Sequence, residues 1–223
     1  MVKITSKTDP TKQASFIHIP KTGGTTITHV LRNHFVHEPL NMMNGHSMSH
    51  IYLKFITDRV GSTPMFCFVR DPLTWYESVY KMMISYSVDH TKTDFKGTRR
   101  RGFNPIGHAM FMYAPTFEKW IDNMLRQAPD YCLEVHQNYM GENLDQIEHV
   151  GHTENLLPDL FKILEKVELT DSVTSQEILA EKSHGGRKHL NDRIVWRAGQ
   201  KKAIIDANIK LYDSPFFKHY LPK

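Results

Sequence analysis

The segment FIHIPKTGGTT, residues 16–26, carries the clearest chemistry in the chain. Lys21, Thr22, Gly23, Gly24, Thr25 and Thr26 stand between a run of strand character and the first turn of a helix. The first N–H groups of a helix have no partner inside it, and glycines let the backbone curl around an anion. The partial positive charge of the helix start and the Lys21 ammonium both favour such a guest, and the Thr25 and Thr26 hydroxyls add donors. An isolated KTGG is equally well a turn that merely joins strand to helix. The lysine precedes the glycines, so the Walker A pattern GxxxxGK[ST] is absent and the ordinary nucleoside triphosphatase reading loses its main support.

A second anion grip follows in FVRDPLTWYESVY, residues 68–80. Arg70 stands at the end of an apolar run and can fork two hydrogen bonds onto a phosphate, while Ser78 projects from the helix behind it. Taken singly, Arg70 also fits an ion pair with Asp71 or another acid, and Ser78 fits a solvent-facing helix position. His46, in NGHS, has a side chain whose unperturbed pKa of about 6.5 suits proton abstraction near neutrality. With 14 histidines in the chain, it can equally cap a helix or bind water. Glu154, in HTEN, is a weaker rival as base and fits a first-turn helix acid. His46 and His50 have helical spacing, yet HSMSH lacks the glutamate of HExxH and a third ligand, so no metal site is expected. His18 reads as a packed histidine beside the loop.

The elements that must position these groups alternate. Residues 1–14 read as a flexible, frayed start and 15–223 as one domain. Ser15 to Ile19 reads as a strand and Thr25 to Phe35 as a helix. A second helix is expected over Met48 to Val60 with Gly61 as its stop. Met65 to Val69 reads as a strand, and Asp71 is placed to cap a helix that has Pro72 at its first position and runs to about Tyr86. Ser87 to Pro115, with the basic run Arg99 to Arg101, reads as a long loop that can draw an anionic glycan or be merely solvated. Thr116 to Gln127 is helical in pattern, and Ile147 to Gly151 is a third strand. Thr153 is a cap for the helix bearing Leu156, Leu160 and Leu164. Residues 170–190 are polar and include Gly185 and Gly186, and Ala198 to Tyr212 is a closing amphipathic helix. This rhythm predicts an α/β fold with a central parallel sheet flanked by helices and ligands at the carboxyl ends of its strands.

IPKTGGT followed by FVRDPLTWYESVY resembles, in order and spacing, the sulfotransferases that use 3′-phosphoadenosine-5′-phosphosulfate (PAPS), especially the carbohydrate type. The likeness is strongest over residues 15–80, about a third of the chain, and returns at GHTENLLPDL and LYDSPFFKHY. It implies a P-loop, nucleotide-kinase-like sulfotransferase fold. It also implies that the first motif, Lys21 to Thr26, holds the 5′-phosphosulfate and that Arg70 and Ser78 hold the 3′-phosphate. His46 resembles the glycine-histidine pair of heparan sulfate 2-O-sulfotransferase-like enzymes, which makes it the expected base, with Lys21 neutralising the departing phosphate oxygen. A late loop that closes on the 3′-phosphate would be Gly185, Gly186, Arg187 and Lys188. Trp75 departs from the pattern, standing where many relatives carry a second arginine; its ring either stacks on the adenosine or packs in the core.

The expected reaction is sulfuryl transfer from PAPS to an acceptor hydroxyl, on a carbohydrate or another hydroxyl compound and with anionic acceptors included, leaving adenosine 3′,5′-bisphosphate and needing no metal. Two rivals are a nucleotide-dependent phosphotransferase and a silent glycan- or nucleotide-binding protein of the same fold. A formal charge of +4 is too mild for a nucleic-acid binder, because 24 acids offset most of the 28 Lys and Arg. Cys67 and Cys132 form no CxxC pair, so a reducing compartment is the simpler expectation. The polar start and the lack of a long apolar run predict a soluble, cytoplasmic chain with no membrane segment, a Golgi lumen fitting only an excised domain. Oligomeric state is left open.

Overall fold

The computed structural model describes residues 2–39, 42–43, 46–47, 53, 60–88, 114–182 and 188–222. In chain order its elements are β1 (Val2–Thr5), β2 (Gln13–Ile17), α1 (Gly24–His34), β3 (Val36–Pro39), β4 (Met42–Met43), β5 (His46–Ser47), β6 (Met65–Val69), α2 (Pro72–Val88), α3 (Phe117–Gln127), α4 (Tyr131–Met140), β7 (His149–His152), α5 (Leu156–Lys166), α6 (Ser175–Ala180), α7 (Gln200–Ala207) and α8 (Ile209–Asp213). They fall into two compact units, Met1–Arg70 with His136–His184, and Asp71–Val135 with Gly185–Lys223.

The first unit is built on a five-stranded sheet of order β3-β1-β2-β6-β7. Strands β2, β6 and β7 are parallel, in registers such as Phe16 with Phe66 and Phe68 with Gly151. The expected central parallel sheet is present in part: β2, β6 and β7 form it, but β1 runs antiparallel to both β2 and β3, so the sheet as a whole is mixed. The flexible start expected over residues 1–14 is corrected with it. Val2 and Ile4 alternate into the core while Lys3 and Thr5 turn away, and Asp9 closes the hairpin to β2 by accepting from the Thr11 N–H and hydroxyl at 3.0 and 2.6 Å. Four residues with only two apolar ones leave little trace in a sequence. Strand β3 leaves none, since all four of its residues are exposed and Pro39 ends it at a sheet edge, where a missing N–H is tolerated.

One face of this sheet is aromatic. Phe16 and Phe66 lie 5.3 Å apart, and with Phe68 they meet Ile27, Val30 and Leu31 of α1 and Leu160, Ile163 and Leu164 of α5. Those helical triplets are spaced three and four apart, which lines one face of each helix with the groups the sheet buries. Helix α6, within the segment read as merely polar, opens on a capping box in which Thr174 and Glu177 bond each other's backbone N–H. Asn33 first and His34 second hold the Glu181 carboxyl, just past α6, below its usual range, which ties α1 to that segment.

The second unit is helical. Asp71 caps α2 as expected, accepting from the N–H groups of Leu73 and Thr74 at 3.3 and 3.2 Å. Its core is aromatic: Tyr76, Tyr80, Phe117 and Trp120 pack edge to face or tilted. Trp75 is 1% exposed and meets Tyr76 and Tyr131, so of its two readings the packing one holds. The single closing helix expected over Ala198 to Tyr212 is corrected to α7 and α8, parted at Asn208. That buried amide donates to the carbonyls of Pro129 and Ile204 at 3.0 and 2.9 Å and accepts from the N–H of Leu133 at 2.9 Å. A side chain so engaged with backbone holds its own residue out of helical continuity. Of the helix expected over Met48 to Val60, only Leu53 and Val60 are described; Gly61 after it has φ +60°, as a helix stop requires. Nearly all of the long loop, with Arg99 to Arg101, lies outside the described residues.

The close approach of β6 to β7 makes a direct test. A Cβ on Gly151 would stand 2.4 Å from the Phe68 ring. Gly151→Ala is expected to lower stability by about 1–3 kcal/mol through overpacking, read as a fall in the urea midpoint by circular dichroism. An unchanged midpoint would mean that the ring yields without cost.

Candidate functional site

Parallel strands end on the same side of a sheet, and here three ends stand abreast. Ile17 pairs with Cys67 and Val69 with His152, so the loop after β2, Arg70 after β6, and the turn Thr153–Asn155 after β7 all leave one edge of the first unit. The expected role of Thr153 as a cap for α5 is corrected. Its hydroxyl donates instead to the carbonyl of Val69 at 2.9 Å, which latches the end of β7 to that of β6.

The loop from His18 to Gly23 is fixed from within. Thr22 is fully buried and its hydroxyl donates to the Ile19 carbonyl at 2.8 Å, so toward an anion Thr22 offers its backbone rather than its side chain. Lys21 and Gly23 both have left-handed backbone, φ +69° and +85°. For glycine that conformation costs nothing special, whereas for lysine it costs about 1–2 kcal/mol. Gly23 takes the N-cap position of α1, accepting from the Ile27 N–H at 3.2 Å, and no acidic residue lies in the first turn. Of the two threonines that follow, Thr25 is exposed and Thr26 only 2% exposed, so Thr25 is the one on the solvent side.

Both glycines answer to the protein's own packing. A Cβ on Gly23 would stand 2.7 Å from Leu156, and one on Gly24 only 1.9 Å from the His18 ring. His18 stacks on Phe16 at 5.8 Å and 17°, so it is the packed histidine the sequence indicates, and its place against Gly24 gives it a specific job. Arg70 is half-buried, directly after the strand. Within that strand burial pushes the Cys67 thiol well above its usual range, which removes it as a nucleophile at neutral pH.

At the end of β7 stands a pair that sequence reading missed. His152 donates its backbone N–H to Asp159 Oδ2 at 3.0 Å and turns its ring Nδ1 to the same oxygen at 3.3 Å. Asp159 Oδ1 accepts from Asn155 Nδ2 at 2.7 Å and lies 3.9 Å from Lys162. Neighbouring Glu154, the rival base, is exposed on the turn between β7 and α5. The signal was present in HTENLLPD, a histidine at a strand end and an acid in the first turn of the next helix, but it becomes readable only once the end of β7 is known.

The other expected site residues are spread out. His46 lies in β5, paired with Met43 of β4, and its side chain is outside the described residues. Ser78 belongs to the second unit, half-buried on α2. Arg187 is outside the described residues, and Lys188 opens the turn Lys188–Arg193 with its side chain likewise undescribed. Among the described residues no group of three or more His, Cys, Asp or Glu is placed to hold a metal ion, and no helix is long and apolar enough to cross a membrane. Compared with protein-family models, with curated proteins and with solved structures, the chain gives no match.

The wedge of His18 against Gly24 predicts coupled energetics. Gly24→Ala is expected to cost about 1–3 kcal/mol by forcing the ring aside, and His18→Ala in the same chain should recover a large part of that loss. A double-mutant cycle in urea that gave simple additivity would show that the two residues do not press on each other.

Proposed function

We propose that the chain is a PAPS-dependent sulfotransferase acting on an acceptor hydroxyl, with a carbohydrate as the acceptor class. The observation that carries this reading is Lys21, a lysine kept in left-handed backbone between the end of a parallel strand and an uncapped helix start. A non-glycine residue held in this region points to a hypothesis of function, and in this reading the ammonium beside the helix start is what the lysine supplies. Around it the amides of Gly23, Gly24 and Thr25 supply an anion cradle, with Thr25 the exposed hydroxyl. The sequence resemblance adds the donor's identity, and it adds Arg70 and Ser78 as ligands of the 3′-phosphate, with Arg187 and Lys188 in a closing loop.

In this reading the acceptor oxygen attacks sulfur in line with the bridging oxygen of the phosphosulfate. The S–O bond to phosphate breaks, the electron pair leaves on the 5′-phosphate of adenosine 3′,5′-bisphosphate, and Lys21 neutralises that charge as it develops. A base must receive the acceptor proton. His46 is the candidate from the sequence; at the sheet edge where the Lys21 loop emerges the described histidines are His152 and His18, the latter packed against Phe16 and Gly24.

Lys21→Gly separates backbone from charge. It is expected to leave the fold at least as stable as the original, since relief of strain offsets the added chain entropy of glycine. Its transfer of label from radiolabelled PAPS should fall about 100- to 1,000-fold. Full turnover in Lys21→Gly would remove the reading. Arg70→Ala is expected to weaken adenosine 3′,5′-bisphosphate about 10- to 100-fold by calorimetry, the scale of one lost charge-assisted contact; unchanged affinity would take Arg70 out of the nucleotide site.

A further inference from the structure

We infer that His152, oriented by Asp159, is the base that takes the acceptor proton, in place of His46. The assignment rests on the sulfotransferase reading and deepens it. Three observations converge on it. The first is position: His152 is the last residue of β7, in register with Val69, so it stands one strand from Arg70 at the edge where the Lys21 loop also emerges. Next comes orientation. Nδ1 points to a carboxylate oxygen at 3.3 Å, so this nitrogen donates and Nε2 is the one that receives a proton. A carboxylate behind an imidazole also stabilises the imidazolium that forms.

The third is the rigidity of the orienting group. Asp159 is held by the His152 N–H and the Asn155 amide on its two oxygens, so the carboxylate cannot swing away without breaking both bonds. The His152 side chain is 29% exposed and that of Asp159 15%, so the carboxylate is the more buried partner of the pair. Among the described residues, the charged groups on the elements that adjoin His152 include Asp159 and Lys162 on α5, Glu154 on the intervening turn, and Arg70 after the paired strand. In the step itself the acceptor O–H proton passes to Nε2 as the new O–S bond forms and the old S–O bond breaks. The proton is then released to solvent after adenosine 3′,5′-bisphosphate is formed.

The test uses the full chain, radiolabelled PAPS, and two acceptors, de-O-sulfated heparin and water. His152→Asn keeps an amide N–H where Nδ1 stood and removes the base. It is expected to bind adenosine 3′,5′-bisphosphate within about twofold of the original, to lose about 100- to 10,000-fold in turnover, and to lose the acidic limb of the pH–rate profile. His152→Ala should regain activity with added imidazole, and Asp159→Asn should lower turnover and displace that limb. His46→Asn should keep the limb. Circular dichroism identifies any variant that fails to fold, and the imidazole rescue then decides the question. If His152→Asn keeps turnover within threefold while His46→Asn loses the limb, the assignment is overturned alone. Absence of bisphosphate binding by the original chain, or binding with transfer to neither acceptor, overturns the sulfotransferase reading and this assignment together.

Discussion

The parallel ladder joining β2, β6 and β7 is the constraint from which the rest of the first unit follows. Because the strands run the same way, every chain reversal after them occurs at one edge, and three segments distant in sequence are delivered there together. Each brings a different chemistry: an ammonium and backbone amides after β2, a guanidinium after β6, an imidazole at the end of β7. The Thr153 hydroxyl, bonded to the last carbonyl of β6, keeps two of these ends from fraying apart. On the far side of β2, β1 runs antiparallel and buries Val2 and Ile4, while β3, antiparallel to β1, runs the same way as β2, so that Pro39, paired with Val2 opposite Phe16, ends at that same edge.

The glycines of the loop show how packing and binding can make the same demand on a residue. Gly23 and Gly24 are explained without any ligand, because Leu156 and His18 occupy the space that a Cβ would need. A functional reading therefore cannot lean on them. It leans on Lys21, held in left-handed backbone, and on a helix start with no acid in its first turn and no capping side chain. The aromatic pair of Phe16 and His18 acts as a backstop that holds the helix start against the sheet.

How much of this was legible in the residues depended on local signal. Met65–Val69 was found to the residue because it is a pure apolar run closed by RDP, with Asp71 and Pro72 both helix-start residues. The strand before Lys21 and the helix after Gly23 were found to within two residues for similar reasons. Strands β1 and β3 were illegible because their pairing, not their composition, makes them strands. Helix α6 carries a local signal, since Thr174 and Glu177 stand at capping-box spacing, but the polar composition of its segment masks it. Helix α4 takes part of its stability from Tyr76 and Asn208, which accept from its first-turn N–H groups across long separations that no window captures. Of the site, the loop and Arg70 were legible. The pairing of His152 with Asp159 needs the strand end, a turn and a helix start in three dimensions.

The left-handed lysine bears on how the loop would work, and not only on what it binds. A residue held in that region at a cost of about 1–2 kcal/mol relaxes unless its neighbours forbid it. Here they do so from both sides. Upstream, the Thr22 hydroxyl reaches back to Ile19 and closes the loop over Pro20 and Lys21 with a buried hydrogen bond of the kind that contributes about 1 kcal/mol net and costs more to break. Downstream, Leu156 lies close over Gly23 and the His18 ring over Gly24, leaving no room for a Cβ at either position. The left-handed turn at Lys21 is therefore set by the chain's own contacts. Under the proposed function, a loop fixed in this way would let charge developing on a departing phosphate meet donors that need little reorganisation, the condition under which fixed dipoles lower a barrier most. A glycine in place of Lys21 would relieve the strain and keep the curl of the loop, but it would remove the positive charge those dipoles are arranged beside.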